Sequence, residues 1–273
     1  MTYKTLNNLS AFIIQKLNDD GKICFTTDTV WSLLPNTNRD NVRRQLADMV
    51  NRGLIGRIKE SLYFLIPYEQ EPETYMPDWH LLAPYLVGEA EYYIGYYSAM
   101  QLHSLITQPA LKEQIVVNNQ IKPSMLKIKN IPFQFIYHNK DHFYGFKKQW
   151  VDGYHKVNCS DLEKTFVDVL FKPEYGGGVS EIAKALHKSK DTLNYKMLVD
   201  YAITFKSLAV CKRLGYLLEV LDINTPEIKL LLDLKTNSFF LLEPSRPKEG
   251  KLLSRWNLQL NTDKDSILSP IYT

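Results

Sequence analysis

A two-part α+β fold is predicted by three features of this 273-residue chain. The first 68 residues alternate helical and hairpin patterns. An acidic, proline-containing connector follows. The remainder runs from a block of strand patterns into a block of helices and returns to strand signals near its end.

In the first part, Leu6, Leu9, Ile13 and Leu17 fall on one helical face, and Asp19-Asp20-Gly21 ends that helix. Ile23-Cys24-Phe25 is a short apolar run, a candidate edge strand for a later hairpin. Thr26-Thr27-Asp28 offers an N-cap for a second helix carrying Val30, Leu33 and Leu34 inward, with Trp31 at its edge; Pro35 stops it. Asn38 caps a third helix in which Val42, Leu46, Met49 and Val50 form the apolar stripe, and Gly53 is placed to end it. Leu54-Ile55, a Gly-Arg-Ile-Lys-Glu-Ser segment and Leu62–Ile66 then read as a β-hairpin with basic residues near its tip. Helix, short strand, helix, turn, helix, hairpin is the element order of a winged helix-turn-helix, predicted here over residues 1–68.

Charge points to what such a module would touch. Between Asn38 and Lys59 stand six basic residues and two acidic ones, a net +4, while the whole chain carries +3. The remainder is therefore at −1, and the basic charge is local. A basic helix and wing is the footprint expected of a groove-binding element. The residues predicted to meet DNA are Arg39, Asn41, Arg43, Arg44 and Gln45 on the third helix, with Arg52, Arg57 and Lys59 on phosphates or the adjacent minor groove. Arginine can grip guanine or phosphate with two bonds, and Asn or Gln can pair with adenine. One such module covers a short half-site, so two copies on an inverted repeat are expected, giving a possible dimer on double-stranded DNA. The alternative is a winged helix that only packs against a protein partner.

Pro67–Pro77 holds three prolines and three glutamates and reads as an extended linker, placed at residues 69–78. Residues 79–273 form the predicted mixed α/β domain. Trp79–Leu86 suggests a short helix at Pro84, and Glu91–His103 a short strand running into a helix. The aromatic run Tyr92–Tyr97 reads as core. Strand patterns at 115–117, 126–128, 132–137, 144–146 and 156–159 suggest a small, largely antiparallel set. Ser160-Asp-Leu-Glu163 reads as a capping box opening a helix with Leu162, Phe166, Val169 and Leu170 inward. Further helices are expected near 180–186, 192–205 and 208–221, and strands at 238–242 and 256–260.

Within this part, Tyr93-Ile-Gly-Tyr-Tyr-Ser-Ala-Met-Gln-Leu-His103, Phe146 with Trp150, Asp161-Leu-Glu-Lys-Thr-Phe-Val-Asp168 with Lys172-Pro-Glu-Tyr-Gly-Gly-Gly178, and Lys212-Arg-Leu-Gly-Tyr-Leu-Leu-Glu219 occur in that order. Together they resemble the AbiEi antitoxin family of abortive-infection, type IV toxin–antitoxin systems. The resemblance spans nearly the whole chain. It implies a transcriptional repressor that binds inverted repeats in its own promoter, and an antitoxin counteracting a nucleotidyltransferase toxin. No individual antitoxin residue carries over from it. Lys212 and Arg213, read as exposed bases of the helix block, are the sequence's candidates.

Other chemistry finds less support. Gly176–Gly178 lacks the Gly-Lys-Ser/Thr ending of a phosphate loop and reads as an inter-helix turn. His138 and His142 stand four apart in a strand-and-turn region, where that spacing does not converge on a metal. Asp161, Glu163 and Asp168 could suggest a carboxylate cluster, but the cap accounts for two of them. No nucleophile is paired with a base, so a non-enzymatic protein without cofactor or metal is expected. A nucleic-acid-acting enzyme targeted by the winged helix is the more distant alternative. Three separated cysteines, no signal peptide and no membrane-length apolar run suggest a cytoplasmic protein.

Overall fold

The computed structural model of the chain describes residues 4–271. It is a mixed α/β structure in two compact units, one comprising residues up to Glu89 together with Leu126–Pro132, the other Ala90–Met125 and the residues from Phe133 on.

The first unit contains α1 (Asn8–Asp19), β1 (Cys24–Thr26), α2 (Thr27–Leu33), α3 (Arg39–Asn51), β2 (Ile55–Lys59) and β3 (Leu62–Leu65). A 3-10 turn, Trp79–Leu82, and the short α4 (Ala83–Leu86) follow. The caps explain the helix starts. Asn7 accepts from the Ser10 amide, Thr26 and Thr29 form a reciprocal box, and Asn38 Oδ1 accepts from the Asn41 amide at 2.8 Å. Gly53 adopts φ +67° just past α3, a left-handed conformation that costs glycine least. Strands pair antiparallel in the order β1-β3-β2, with Cys24 opposite Phe64 and Ile55 opposite Leu65. Ile13, Leu17, Val30, Val42, Leu46 and Met49 are completely buried at the centre of this unit. Their apolar burial is the principal driving force for its three-helix packing.

The second unit begins with β4 (Tyr92–Ile94), α5 (Tyr96–Leu102) and β5 (Glu113–Val117). After β6 (Met125–Ile128) come β7 (Ile131–Tyr137), β8 (Phe146–Trp150) and β9 (Lys156–Ser160). Five strands run in the order β7-β5-β4-β9-β8. The set is mixed rather than largely antiparallel: β5–β7 and β4–β9 pair parallel, β4–β5 and β8–β9 antiparallel. Long excursions of chain between the parallel partners permit this, as a tight turn would not.

Helices α6 (Leu162–Phe171), α7 (Val179–Ser189), α8 (Tyr195–Thr204), α9 (Leu208–Val220) and α10 (Ile228–Asp233) follow. A small sheet of β10 (Phe240–Leu241), β11 (Lys251–Leu253) and β12 (Leu258–Leu260) has the order β10-β12-β11, and α11 (Lys264–Leu268) comes last. The core gathers Tyr93, Phe166, Leu198, Leu214 and Trp256 with their neighbours. Trp256 lies so close to Gly215 that a β-carbon there would meet the indole at 2.1 Å, which fixes a glycine on α9. The expected capping box at Ser160–Glu163 does not form. Asp161 caps α6, its Oδ1 accepting from the Lys164 amide at 2.8 Å, because Ser160 is still paired in β9 opposite Phe146. Ser160 instead bonds Thr165 Oγ1 at 2.7 Å, and Glu163 Oε1 accepts from the Asn194 amide.

Candidate nucleic-acid interface

The cap at Asn38 and the buried Val42–Leu46–Met49 stripe set which side of α3 meets solvent. Arg39, Asn41, Arg43 and Arg44 are exposed on it, and Arg57 and Lys59 are exposed on the β2–β3 hairpin. The α2–α3 turn that orients the helix is held by Trp31, whose indole N–H donates to Thr37 O at 2.9 Å.

Of the eight residues anticipated for DNA contact, Asn41 is exposed with its backbone amide held by the Asn38 cap, and the other seven divide into four groups. Arg44 and Lys59 form no side-chain ion pair or hydrogen bond among the described residues, and their charges are available. Arg39 and Arg43 are exposed but engaged. Arg39 pairs with Asp28 and lies 5.0 Å over the Trp31 ring; Arg43 pairs with Asp40 at 3.3 Å. Exposed pairs of this kind contribute about 0–1 kcal/mol, so a phosphate can take over either arginine at little cost. Arg57 Nε makes only a long bond, 3.4 Å, to Lys59 O.

Gln45 and Arg52 belong to a different structure. Gln45 Nε2 donates to Ser10 Oγ at 3.2 Å. Arg52 donates to Ser10 Oγ at 2.6 Å and to Thr5 O at 2.8 Å, and pairs with Asp48 at 2.6 Å, leaving its side chain 17% exposed. Both fasten α3 to α1. Ser10 is buried and gives its own hydroxyl hydrogen to Asn7 Oδ1 at 2.7 Å. A serine within the apolar face of α1 was the available signal for this anchor.

In the second unit, Lys212 and Arg213 are buried, at 1% and 5% exposure, rather than exposed. Lys212 Nζ donates to Leu231 O and Leu232 O at 3.0 and 3.3 Å. Arg213 donates to Leu170 O at 2.8 Å and twice to Leu241 O, and burial pulls its guanidinium down to about 10 against the opposing charge of Glu243. These cations satisfy backbone carbonyls inside the helix block. Apolar neighbours on every side of α9 account for the difference.

Asp168 has a role that sequence reasoning missed. It is completely buried and ion-paired with Lys164, one helical turn earlier on α6 and equally buried. Lys164 also donates to Tyr93 Oη at 2.9 Å, and Tyr93 donates to Asp168 Oδ2 at 3.1 Å. The ammonium sits 5.1–5.2 Å from the rings of Tyr93, Tyr144 and Phe205. His138 lies between Tyr93 Oη, 3.2 Å from Nδ1, and Tyr96 Oη, 2.8 Å from Nε2. Burial pushes Lys164 down and Asp168 up, each opposed by the partner's charge. Burial, with the Lys164 charge, lowers His138 to about 2 and keeps it neutral. His142 stacks on Phe205 at 3.8 Å. Among the described residues no three His, Cys, Asp or Glu side chains gather as a metal site. The triple glycine offers no phosphate seat either. The amide opening α7, Val179 N, donates to Glu243 Oε2 at 2.7 Å, so the chain's own carboxylate occupies that helix N-terminus. No helix among the described residues is long and apolar enough to cross a membrane.

The chain matches no protein-family model and no curated protein sequence. Among solved structures, the RV2827C protein from Mycobacterium tuberculosis shares the fold. The TM-score is 0.71, with all of this chain and 97% of that one covered, at 14% identity. At that identity the likeness concerns the fold alone.

Proposed function

We propose that this protein is a cytoplasmic, non-enzymatic DNA-binding repressor whose first unit acts as a winged helix-turn-helix on its own promoter. The observation that carries this reading is the exposed basic face of α3 beside a hairpin bearing Arg57 and Lys59, with Arg44 and Lys59 uncommitted to partners within the described residues. Arg39, Asn41, Arg43 and Arg44 take the groove, and Arg57 and Lys59 take phosphates. Gln45 and Arg52 hold the helix in place. Two copies engage an inverted repeat. A mobility-shift titration with the DNA upstream of its gene, at 50 and 200 mM salt, tests this. Arg44→Ala with Lys59→Ala should weaken binding, and reduce the salt slope by about 1 for the phosphate that Lys59 no longer neutralises. Unchanged affinity and slope would refute the placement.

The antitoxin role is supported by the resemblance of the second unit's residues to the AbiEi family. On that reading the chain counteracts a nucleotidyltransferase toxin encoded beside it. Co-expression with a neighbouring nucleotidyltransferase should restore growth that the enzyme alone arrests, and continued arrest would remove the antitoxin reading while leaving DNA binding intact. A protein-docking role for the first unit has one observation in its favour: Leu9 and Phe12 on α1 are each 40% exposed. Failure of the mobility shift would favour it.

A further inference from the structure

Beyond Asn38–Lys59, basic charge gathers in further stretches of this chain, residues 122–140 among them, with four lysines and no acid. With +3 on the whole chain and +4 on Asn38–Lys59, the rest carries −1. Phe146–Ser160 is another such stretch, with three lysines against one aspartate, +2. It is the β8–β9 hairpin, with β8 at the edge of its sheet.

The hairpin also carries two exposed aromatic side chains. Trp150 is 53% exposed and Tyr154 89% exposed. Trp150 stands opposite Lys156 and Lys148 opposite Asn158, so Lys148, Trp150 and Lys156 share one face by strand alternation. Lys156 Nζ lies 4.0 Å over the Trp150 ring. The connecting turn is built to hold its shape. Asp152 Oδ1 accepts from the amides of Tyr154 and His155, each at 2.7 Å, and Val151 N donates to His155 O at 2.9 Å. His155 Nδ1 lies 2.8 Å from Asp152 Oδ2, which engages the only acidic side chain of the hairpin. Tyr154 is thus displayed in water from an ordered turn. Lysines alone would keep an edge strand from pairing with other chains. That purpose leaves two presented rings unaccounted for.

We propose that the β8–β9 hairpin is a contact surface for single-stranded nucleic acid, with Trp150 and Tyr154 stacking on bases and Lys148 and Lys156 meeting phosphates. Rings set among cations are the arrangement that binds single strands without sequence preference, because every unstacked base offers a face. Duplex bases are already stacked and give these rings no purchase. The surface is independent of the α3 face, and the two are separable by mutation.

Fluorescence anisotropy of labelled 12-nucleotide single strands, RNA and DNA of one sequence, should show binding by the full chain that survives Arg44→Ala plus Lys59→Ala. Trp150→Ala and Tyr154→Ala should each weaken it about tenfold, while Tyr154→Phe retains it. Lys148→Gln with Lys156→Gln should flatten the salt dependence by about 1.4 in slope. A preference between the RNA and DNA strands identifies the sugar. The proposal is overturned if the intact chain does not bind single strands, if the two alanine variants, folded by circular dichroism and unchanged in Tm, bind like the parent, or if a duplex of the same length competes equally.

Discussion

Replacing Asp168 by Asn removes one charge from a completely buried pair and changes almost nothing in shape. Lys164 then keeps the Tyr93 hydroxyl and three aromatic rings at 5.1–5.2 Å, but loses its paired carboxylate and retains only the weaker attraction of Asp161. Breaking a buried pair from one side costs about 3–5 kcal/mol. Proton loss gives an independent bound. A lysine with a solution value near 10.4 that folds only as the neutral amine costs about 4.6 kcal/mol at pH 7, at 1.36 kcal/mol per unit. The two routes agree, and predict a loss of about 4 kcal/mol in urea unfolding followed by far-ultraviolet circular dichroism. The variant carries a signature the parent lacks. A lysine depressed by folding contributes stability that is present above its unfolded value and lost as pH falls, so Asp168→Asn should recover about 1.4 kcal/mol per unit relative to the parent between pH 7 and 9. Adding Lys164→Met should restore most of the loss, since the orphaned charge is gone. A loss below about 1 kcal/mol without that pH slope would show that Lys164 and Asp168 are not a buried, coupled unit.

His138, lowered to about 2 from an ordinary value near 6.5, binds its proton in the unfolded chain before the folded one. Stability should therefore decline as pH falls from 6.5 to 5, and His138→Gln should reduce that decline by up to about 1.4 kcal/mol per unit in denaturant titrations. Arg52→Ala deprives Ser10 and the Thr5 carbonyl of a donor, and should cost the first unit about 1–3 kcal/mol while leaving the salt slope of DNA binding unchanged. Gly215→Ala drives a methyl group into Trp256 and should lower stability by about 1–3 kcal/mol, read as a fall in Tm. Arg213→Ala leaves buried carbonyls of Leu170 and Leu241 without this donor; soluble, folded protein in unaltered yield would contradict its assignment as an internal strut.

The first unit was largely legible because local rules decide it. Asn38 caps, Val42, Leu46 and Met49 repeat at helical spacing, and Gly53 takes the left-handed conformation. Side-chain partners were not legible. Arg52 and Gln45 sit at exposed-looking positions, and only the proximity of α1 turns them inward to Ser10. In the second unit, Lys164 and Asp168 have the four-residue spacing of an ordinary surface pair. The available signal was composition: α6 is apolar on more than one face through Leu162, Phe166, Val167, Val169 and Leu170, and a helix apolar all round is buried. The same reasoning applied to α9 would have placed Lys212 and Arg213 inside. The α6 start is ambiguous in the sequence because Ser160 and Asp161 are both capping residues, and only strand pairing decides between them.

The basic face of α3 is less charged than its arginine count suggests, and that has a consequence for how it would read DNA. Of its exposed arginines, Arg44 alone has no carboxylate partner among the described residues, while Arg39 and Arg43 are already paired with Asp28 on α2 and Asp40 on α3. Phosphate engagement by those two is therefore an exchange of one anion for another, with Asp28 and Asp40 left near the DNA. Such an exchange is nearly neutral in energy at an exposed site. Trp31 favours it for Arg39, because its ring, 5.0 Å away, continues to support the guanidinium after Asp28 lets go. Removing the competing acid should thus strengthen binding: Asp28→Asn is expected to tighten the complex with upstream DNA several-fold in the mobility-shift titration. Weaker binding by a folded Asp28→Asn chain would mean instead that the pair orients Arg39 for the groove, and that α3 reads DNA with its arginines held rather than freed.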